Sequence, residues 1–395
     1  MGLGSTLMPD ALTIAAQDSD TITIEMIEAA QTIAGITFTR EEQQAIAARL
    51  NATRGYLAGF RFLKTANLGN HTQPALVFNP VPPGKTLPTG PRGLKRREPA
   101  VSKPSSDEAL AFLPVTHLAK LVKSRQIKPS DLTELYLARL TAHDPVLHCV
   151  VNLTADLART QAKQADAEIA AGRYRGPLHG IPFGLKDLFA VRGTKTTWGI
   201  SPYKDQIIDT DATVYTKLRN AGAILVAKLS TGALAFTAQW FGGVTRNPWN
   251  VQQDAAGSSA GPGSATAAGL VAFSIGTDTG GSVIAPAARN GVTGMRPTFG
   301  RVSRYGAMTL AWTQDTVGPL CRSAEDCAVV FDAIYGPDGK DNSVLDVPFG
   351  WDTSADVAKL RVGYLRSILE EGAAGATASG SSEQTATRRN YEEAI

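Results

Sequence analysis

Hydrophobic positions near the start of the chain recur with the period of amphipathic helices. Between residues 20 and 63, isoleucine, alanine and leucine recur three or four positions apart, which places them on one helix face. Thr39 and Glu42 have the spacing of a capping box, in which each side chain accepts a hydrogen bond from the other residue's backbone N–H. The pattern therefore predicts a small helical unit, within an N-terminal helical extension that we assign to residues 1–78.

From residue 113 onward, short apolar runs alternate with helical patterns. Strands that alternate with helices form a sheet covered on both faces, so this part predicts an α/β core, which we assign to residues 109–370. The predicted elements are a helix capped by Ser130 or Asp131, an alanine-rich helix at 155–171, buried strands at 180–189 and 223–227, and a buried strand or helix end at 270–275.

A segment rich in proline and glycine, 79–108, separates the extension from the core. Between 79 and 105 it holds six Lys or Arg residues and one Glu, a local charge of +5. The whole chain carries +3, so the remainder carries 3 minus 5, or −2. Because the remainder is near neutral and no aromatics interleave the basic run, we interpret the segment as a surface linker without regular structure and expect no nucleic-acid partner. Residues 371–395 are predicted to be a low-complexity tail.

Composition is typical of a globular protein, with 395 residues of which 43% are hydrophobic. No apolar run approaches the length of a membrane span, and the first residues lack the pattern of a secretory signal, so we expect a cytoplasmic protein without a membrane partner. The three cysteines, at 149, 321 and 327, have no metal-type spacing and are expected to be buried small residues in a reduced compartment. We expect no metal and no cofactor.

Two Gly/Ser clusters flank the apolar run at 270–275, one at 257–261 and one at 280–282. Glycine at this density lets the backbone approach a ligand, and consecutive N–H groups in such turns can bind anionic groups. Neither cluster is followed by the Lys of a phosphate-binding P-loop, so nucleotide binding has little support. The clusters favour a catalytic or anion-cradling pair of loops.

The first cluster also fits G-x-S-x-G, the nucleophile elbow of α/β-hydrolases, with Ser259 as nucleophile. That fold supplies its catalytic His after the Ser, and the last of the five histidines here is His179. A Ser-Asp-His hydrolase in that chain order is therefore excluded. If a serine is the nucleophile, its base must be another residue. Ser201 begins an S-x-x-K sequence without its companion motifs, which we interpret as coincidence.

Lys186 stands out because its neighbours in the predicted strand at 180–189 are apolar, and lysine is almost never fully buried unless it is paired or functional. Side chains alternate along a strand, so Asp187 is expected to point to the opposite face and need not keep Lys186 charged. A desolvated lysine has a lowered pKa and can act as a general base. The alternative is a lysine at a strand end that reaches water. Asp278 is interpreted as a structural hydrogen-bond acceptor.

Five stretches together resemble the amidase signature family, which includes bacterial amidases, fatty-acid amide hydrolases and the A subunit of glutamyl-tRNA amidotransferase. The resemblance runs from about residue 113 to about 365 and implies a mixed, twisted sheet with helices on both faces. The matching stretches are GIPFGLKDLF (180–189), TRNPWN (245–250), AGSSAGPGSATAAGL (256–270), GTDTGGSVIAPAA (276–288) and GVTGMRPTFGRVSRYG (291–306).

The resemblance implies a Lys-Ser-Ser triad in place of Ser-His-Asp. By position in the motifs, Ser282 matches the nucleophile, Ser258 the bridging serine that follows a cis peptide bond, and Lys186 the base. The backbone N–H groups of Thr279, Gly280, Gly281 and Ser282 would stabilise the oxyanion.

Several positions depart from the family pattern. The bridging-serine loop usually reads GGSSGGS, whereas here Ala256 and Ala260 replace glycine and Pro262 is inserted. The nucleophile is commonly followed by Ile-Arg, and here Val283 and Ile284 follow it.

The resemblance implies an amide hydrolase that acts on a small-molecule amide through a serine acyl-enzyme. Two alternatives stay open: the A subunit of a glutamine-dependent amidotransferase, and a non-catalytic relative that binds or scaffolds. The sequence leaves the identity of the amide and the formation of a homodimer undecided.

Overall fold

The computed structural model describes residues 21–52, 58, 81, 83–354, 356–361 and 363. By its internal contacts the chain divides into two units, residues 1–77 and 78–395. The predicted tail at 371–395 and the remainder of the N-terminal extension lie outside the described residues.

Two helices form the described part of the first unit, α1 (Ile24–Ala34) and α2 (Arg40–Asn51). The capping box predicted at the start of α2 is confirmed. The Thr39 hydroxyl accepts from the backbone N–H of Glu42, and the Glu42 carboxylate accepts from the N–H of Thr39 at 2.7 Å. Each bond satisfies a backbone donor that the first helical turn cannot pair internally.

The second unit is built around a six-stranded mixed sheet. Its strands are β2 (Val150–Leu153), β3 (Pro182–Lys186), β4 (Ile224–Leu229), β9 (Phe273–Asp278), β10 (Thr293–Gly294) and β11 (Thr316–Cys321). They lie in the order β10-β11-β9-β3-β4-β2. Strand β3 lies in the middle and pairs in parallel with β4 and β9, whereas the outer pairings are antiparallel.

Eight helices of the second unit are described, together with short strand pairs outside the main sheet. The helices are α3 (Asp107–Ala111), α4 (Val115–Lys123), α5 (Pro129–Leu147), α6 (Ala155–Ala170), α7 (Thr213–Asn220), α8 (Ala260–Ala267), α9 (Ile284–Asn290) and α10 (Ala324–Ile334). The short strands are β1 (Gly93–Lys95), β5 (Gln239–Trp240), β6 (Gly243–Val244), β7 (Arg246–Asn247), β8 (Asn250–Asp254) and β12 (Gly350–Asp352).

Helices cover both faces of the sheet, as predicted, because its central strands are apolar on both sides. In β4, Leu225 belongs to one buried cluster, whereas Ile224 and Val226 belong to another, so the clusters lie on opposite faces of this strand. The first cluster includes residues of α4, α7 and α10, and the second includes residues of α5, α6 and α8. An α/β fold is therefore confirmed.

One local prediction was wrong and another was too short. Neither Ser130 nor Asp131 caps a helix, because α5 already begins at Pro129, whose fixed φ suits the first helical position, after an N-cap at Lys128. The strand predicted at 223–227 continues to Leu229 and includes Lys228, a second buried lysine that the apolar pattern missed.

The basic segment interpreted as a linker without regular structure contains strand β1, which pairs in parallel with β12. Its charged side chains also form ion pairs outside the segment, since Arg92 donates to Asp346 at 2.8 Å and Glu98 accepts from Lys120 at 2.6 Å. These contacts span more than 20 residues of sequence in each case, which local composition could not reveal.

Lys228 and Asp187 form an ion pair inside the protein. Both side chains are fully buried, and the Lys228 Nζ donates to Asp187 Oδ1 at 2.9 Å and to Thr196 Oγ1 at 3.0 Å. The other carboxylate oxygen of Asp187 accepts from the N–H and the hydroxyl of Thr197. The pair ties β3 and β4 to the loop that follows β3.

We expect Lys228→Met to destabilise the protein by about 3–5 kcal/mol, because the substitution leaves the Asp187 carboxylate buried without its cation. Equilibrium urea unfolding followed by tryptophan fluorescence measures this loss. Lys195→Met is the matched control, since Lys195 forms an exposed pair with Asp205 and its loss should cost less than about 1 kcal/mol. Equal small effects of both substitutions would contradict the structural role of the buried pair.

Candidate active site

Lys186 lies at the carboxyl end of the central strand β3 and is fully buried. Its Nζ lies 2.8 Å from Ser258 Oγ, 2.8 Å from Thr277 Oγ1 and 3.5 Å from the Thr277 carbonyl oxygen. Asp187, as predicted, points to the other face, where it binds Lys228. Among the described residues, the Lys186 amine is therefore bonded to hydroxyl and carbonyl oxygens and to no carboxylate.

Burial lowers the pKa of Lys186 from its ordinary 10.5 to about 7, while the nearby carboxylates of Asp278 and Asp315 act in the opposite direction. Removing the ammonium from water disfavours its charged form, and none of the described carboxylates bonds to it to restore that form. A substantial fraction of the amine is thus neutral near pH 7. A neutral amine has a lone pair with which it can accept a proton.

Ser258 lies in the loop between β8 and α8, directly after a cis peptide bond that joins Gly257 to Ser258. Gly257 is required by close packing, since a Cβ there would lie 1.8 Å from the carbonyl oxygen of Thr237. The Ser258 carbonyl accepts from the N–H of Gly232 at 3.1 Å. These contacts fix the nearly buried Ser258 hydroxyl against Lys186.

The two alanines that replace glycine in this loop have different consequences. Ala256 has a φ of 56°, in the left-handed region where a side chain costs about 1–2 kcal/mol. Ala260 begins helix α8, where alanine is favourable. Pro262 also lies within the first turn of that helix, where its missing N–H is tolerated.

Ser282 lies in the turn between β9 and α9, and its side chain is half-buried. The Ser282 carbonyl accepts from the N–H of Ser259 at 3.1 Å, which joins this turn to the loop that carries Ser258. The structure thereby brings together the segments holding Lys186, Ser258 and Ser282, which are far apart in the sequence.

Asp278 organises the turn as a hydrogen-bond acceptor, as predicted. Its fully buried carboxylate accepts from the N–H groups of Gly281 and Val283, each at 2.7 Å, and of Ile284 at 3.2 Å. The Arg296 guanidinium donates to the same carboxylate at 2.9 Å. The N–H of Gly281, one of the four expected to stabilise an oxyanion, is therefore already bonded to Asp278, and the expectation is corrected to the N–H groups of Thr279, Gly280 and Ser282.

Space above the turn is open. A Cβ added to Gly280 or Gly281 would meet no atom within 4 Å, and Gly281 has a φ of 116°, which disfavours any residue with a side chain. The Thr279 hydroxyl donates to Asp315 at 2.6 Å, and Asp315 also accepts from the N–H of Leu310 and of Ala311. Asp315 thus links the loop that precedes β11 to Thr279, at the start of the turn that carries Ser282.

Other candidates named from the sequence have different surroundings. The Ser259 hydroxyl is fully buried and donates to the Thr277 carbonyl at 3.1 Å, whereas Ser201 lies exposed in a short 3₁₀ turn. All three cysteines are buried, as expected, and burial raises the pKa of the Cys149 and Cys321 thiols well above the ordinary value.

Neither a metal site nor a membrane span is found within the described residues. No three His, Cys, Asp or Glu side chains come together there as a metal-binding group. No helix in that part of the chain has both the length and the apolar character needed to cross a membrane.

Sequence reasoning missed three residues that shape this site, Thr277, Arg296 and Asp315. Thr277 precedes Asp278 in the GTDTGGS stretch, so strand alternation could have placed it on the face opposite Asp278. No local pattern marks Arg296 or Asp315, because their partners lie 18 and 36 residues away.

The chain resembles known proteins in sequence and in fold. A sequence profile described as Amidase matches residues 131–386, well over half of the chain. The chain is 38% identical over 262 residues to the A subunit of glutamyl-tRNA(Gln) amidotransferase from Acidothermus cellulolyticus, and the match covers 65% of this chain and 52% of that protein.

Two solved structures share the fold. The native peptide amidase from Stenotrophomonas maltophilia superposes with a TM-score of 0.57 and 36% identity, covering 60% of this chain and 50% of that protein. A bacterial aryl acylamidase of the amidase signature family superposes with a TM-score of 0.56 and 31% identity, with the same coverage. The chain spans about half the length of the relatives it matches. From the profile match and the shared fold, the chain belongs to the amidase signature family.

Proposed function

We propose that this protein hydrolyses a carboxylic amide through a serine acyl-enzyme, with Ser282 as nucleophile, Ser258 as proton relay and Lys186 as base. The observation that carries the proposal is the buried Lys186 amine, which is bonded to Ser258 Oγ at 2.8 Å and, within the part of the chain that the structure describes, to no carboxylate. An isolated buried ammonium is strongly unfavourable, so this environment favours the neutral amine.

The hydrogen bonds of Lys186 suit a neutral amine that accepts from Ser258. Such an amine has two N–H donors and one lone pair. The hydroxyl and carbonyl oxygens of Thr277 can take the two donors, at 2.8 and 3.5 Å. The lone pair is then directed at the Ser258 hydroxyl, whose oxygen can in turn accept the proton of Ser282.

In the acylation step, Ser282 Oγ forms a bond to the amide carbonyl carbon as its proton passes to Ser258 and the Ser258 proton passes to Lys186. The N–H groups of Thr279, Gly280 and Ser282 are proposed to stabilise the oxyanion, since that of Gly281 is bonded to Asp278. When the carbon–nitrogen bond breaks, the relay returns a proton to the leaving amine or ammonia. Water then hydrolyses the ester of Ser282 by the same route, releasing the acid.

The names of the similar structures support an amide as substrate, because one is a peptide amidase and another an aryl acylamidase. The similarity to the amidotransferase protein favours glutamine as a second candidate. The surface beside the nucleophile supports a neutral substrate. Ile284 is 44% exposed at the start of α9, and Leu310, on the loop fastened by Asp315, is 50% exposed.

Substitution of the triad tests the assignment of roles. Ser282→Ala, Ser258→Ala and Lys186→Ala should each lower kcat/KM for a neutral amide by roughly 10³–10⁶, and non-additively, because the three residues act as one unit. Ser282→Ala should also abolish labelling by a serine-directed fluorophosphonate. Ser201→Ala and Ser259→Ala are the control variants and should still be labelled. A labelled, active Ser282→Ala variant, or an inactive and unlabelled Ser259→Ala variant that remains folded, would instead support the G-x-S-x-G assignment.

The fluorophosphonate labelling rate should rise with pH through about 7 and level off by about pH 9, because only neutral Lys186 can accept the proton. Below the pKa the ammonium has no lone pair and the rate falls with the neutral fraction. The measurement is the second-order labelling rate constant from about pH 5.5 to 9.5, with circular dichroism at each pH to verify folding. A rate that decreases steadily from about pH 6 to 9 in folded protein contradicts a neutral lysine base.

We expect neutral apolar or aromatic amides to be better substrates than glutamine. Ile284 offers no charge to the glutamine α-carboxylate, and the Arg296 guanidinium at this turn is already bonded to Asp278. Steady-state kcat/KM should therefore be higher for butanamide, which lacks the charged α-groups, than for glutamine. Ile284→Arg should shift the ratio towards glutamine, whereas the control Ile284→Ala should not. A higher kcat/KM for glutamine in the unmodified protein would favour the amidotransferase function.

A further inference from the structure

The negative charge of Asp278 favours protonation of Lys186 and so opposes its use as a neutral base. Asp278 directly follows Thr277, whose side chain contacts the Lys186 Nζ, so the two side chains point to opposite faces of strand β9. The Asp278 side chain is fully buried. Its negative charge, in a medium of low dielectric, favours the protonated form of the lysine.

Arg296 forms an ion pair with the Asp278 carboxylate. Its Nε donates to Asp278 Oδ1 at 2.9 Å, and a terminal nitrogen lies 3.4 Å from the Thr279 carbonyl oxygen. The other donors to Asp278 are backbone N–H groups, which bring no net charge. Within the described part of the chain, Arg296 is the ion-pair partner found for Asp278.

The remaining charged groups around Lys186 do not supply this compensation. Asp315 adds a second negative charge, and its carboxylate is bonded to the neutral donors of Thr279, Leu310 and Ala311. On the other face of β3, Asp187 and Lys228 form their own pair. The other groups that contact the amine, Ser258 and Thr277, are uncharged.

We propose that Arg296 is a positioning residue whose charge offsets that of Asp278, so that the Lys186 amine remains unprotonated and available as base near neutral pH. The proposal rests on the proposed function of Lys186. The proposal also accounts for the source of the positive charge at the turn that carries Ser282. The family commonly places an arginine two residues after the nucleophile, and here that position is Ile284 while the guanidinium beside the turn comes from Arg296.

The test is the pH profile of fluorophosphonate labelling in Arg296→Met and Arg296→Gln. In both variants the midpoint of the rise in labelling rate should move to a pH about 1 unit higher, because a positive charge near Lys186 is lost and solvent screens part of its effect. The rate near pH 7 should therefore fall about fivefold, while the plateau near pH 9.5 changes less than about threefold. Arg296→Gln retains an amide donor for Asp278, so it carries the test if the methionine variant does not fold.

Two controls separate charge compensation from other effects. Arg296→Lys retains the positive charge and should keep the limb within about 0.3 pH unit of the unmodified protein. Arg289→Met removes one positive charge from the exposed end of α9, without contact to Asp278, and should leave the profile unchanged.

The outcomes separate this proposal from the function on which it rests. An upward shift in both neutral variants and not in the controls supports the role of Arg296. A lower plateau without a shift indicates a structural role and overturns it, as does an equal shift in Arg289→Met. If the unmodified protein has no rising limb, or if Ser282→Ala is still labelled, the proposed function itself fails.

Discussion

The site depends on one constraint, the burial of the Lys186 amine at the end of a central strand, where no carboxylate of the described residues is bonded to it. A charged Lys186 in this position would have hydroxyl and carbonyl oxygens as its described partners. Burial lowers the pKa of Lys186 to about 7, so the amine can lose its proton inside the protein. In the mechanism that we propose, this loss produces the base, and the stability cost and the chemical function then have the same physical origin.

The two buried lysines of the sheet show how surroundings assign different roles to one residue type. Lys228 on β4 is paired with the Asp187 carboxylate, and the pair connects strands and loop as an internal structural contact. Lys186 on the adjacent strand faces Ser258 instead. The alternation of side chains along β3 separates the Asp187 charge from the Lys186 amine, although the residues are neighbours in the sequence.

The turn that carries Ser282 is organised around a buried negative charge. Asp278 holds this turn by accepting three backbone N–H groups. In the role that we propose for Arg296, its guanidinium, which is bonded to the same carboxylate, offsets the effect of that charge on Lys186. Ile284, two residues after Ser282, presents an apolar side chain at the surface.

The sequence by itself determined the local features and the candidate residues. Helical periodicity and the Thr39–Glu42 capping box were correct because they depend on contacts within one turn of helix. The α/β class followed from the spacing of apolar runs, and the motifs selected Lys186, Ser258 and Ser282. Sequence spacing also indicated that Lys186 and Asp187 would face opposite sides of a strand.

Only the tertiary structure decided which polar groups meet. The contacts of Lys186 with Ser258 and Thr277 join residues 72 and 91 positions apart, and no local pattern encodes such distances. The pairing of Lys228 with Asp187, the docking of β1 and the bond from Arg296 to Asp278 were hidden for the same reason. Charge and hydrogen-bond complementarity act through space, so they are fixed only when the order of strands in the sheet is known.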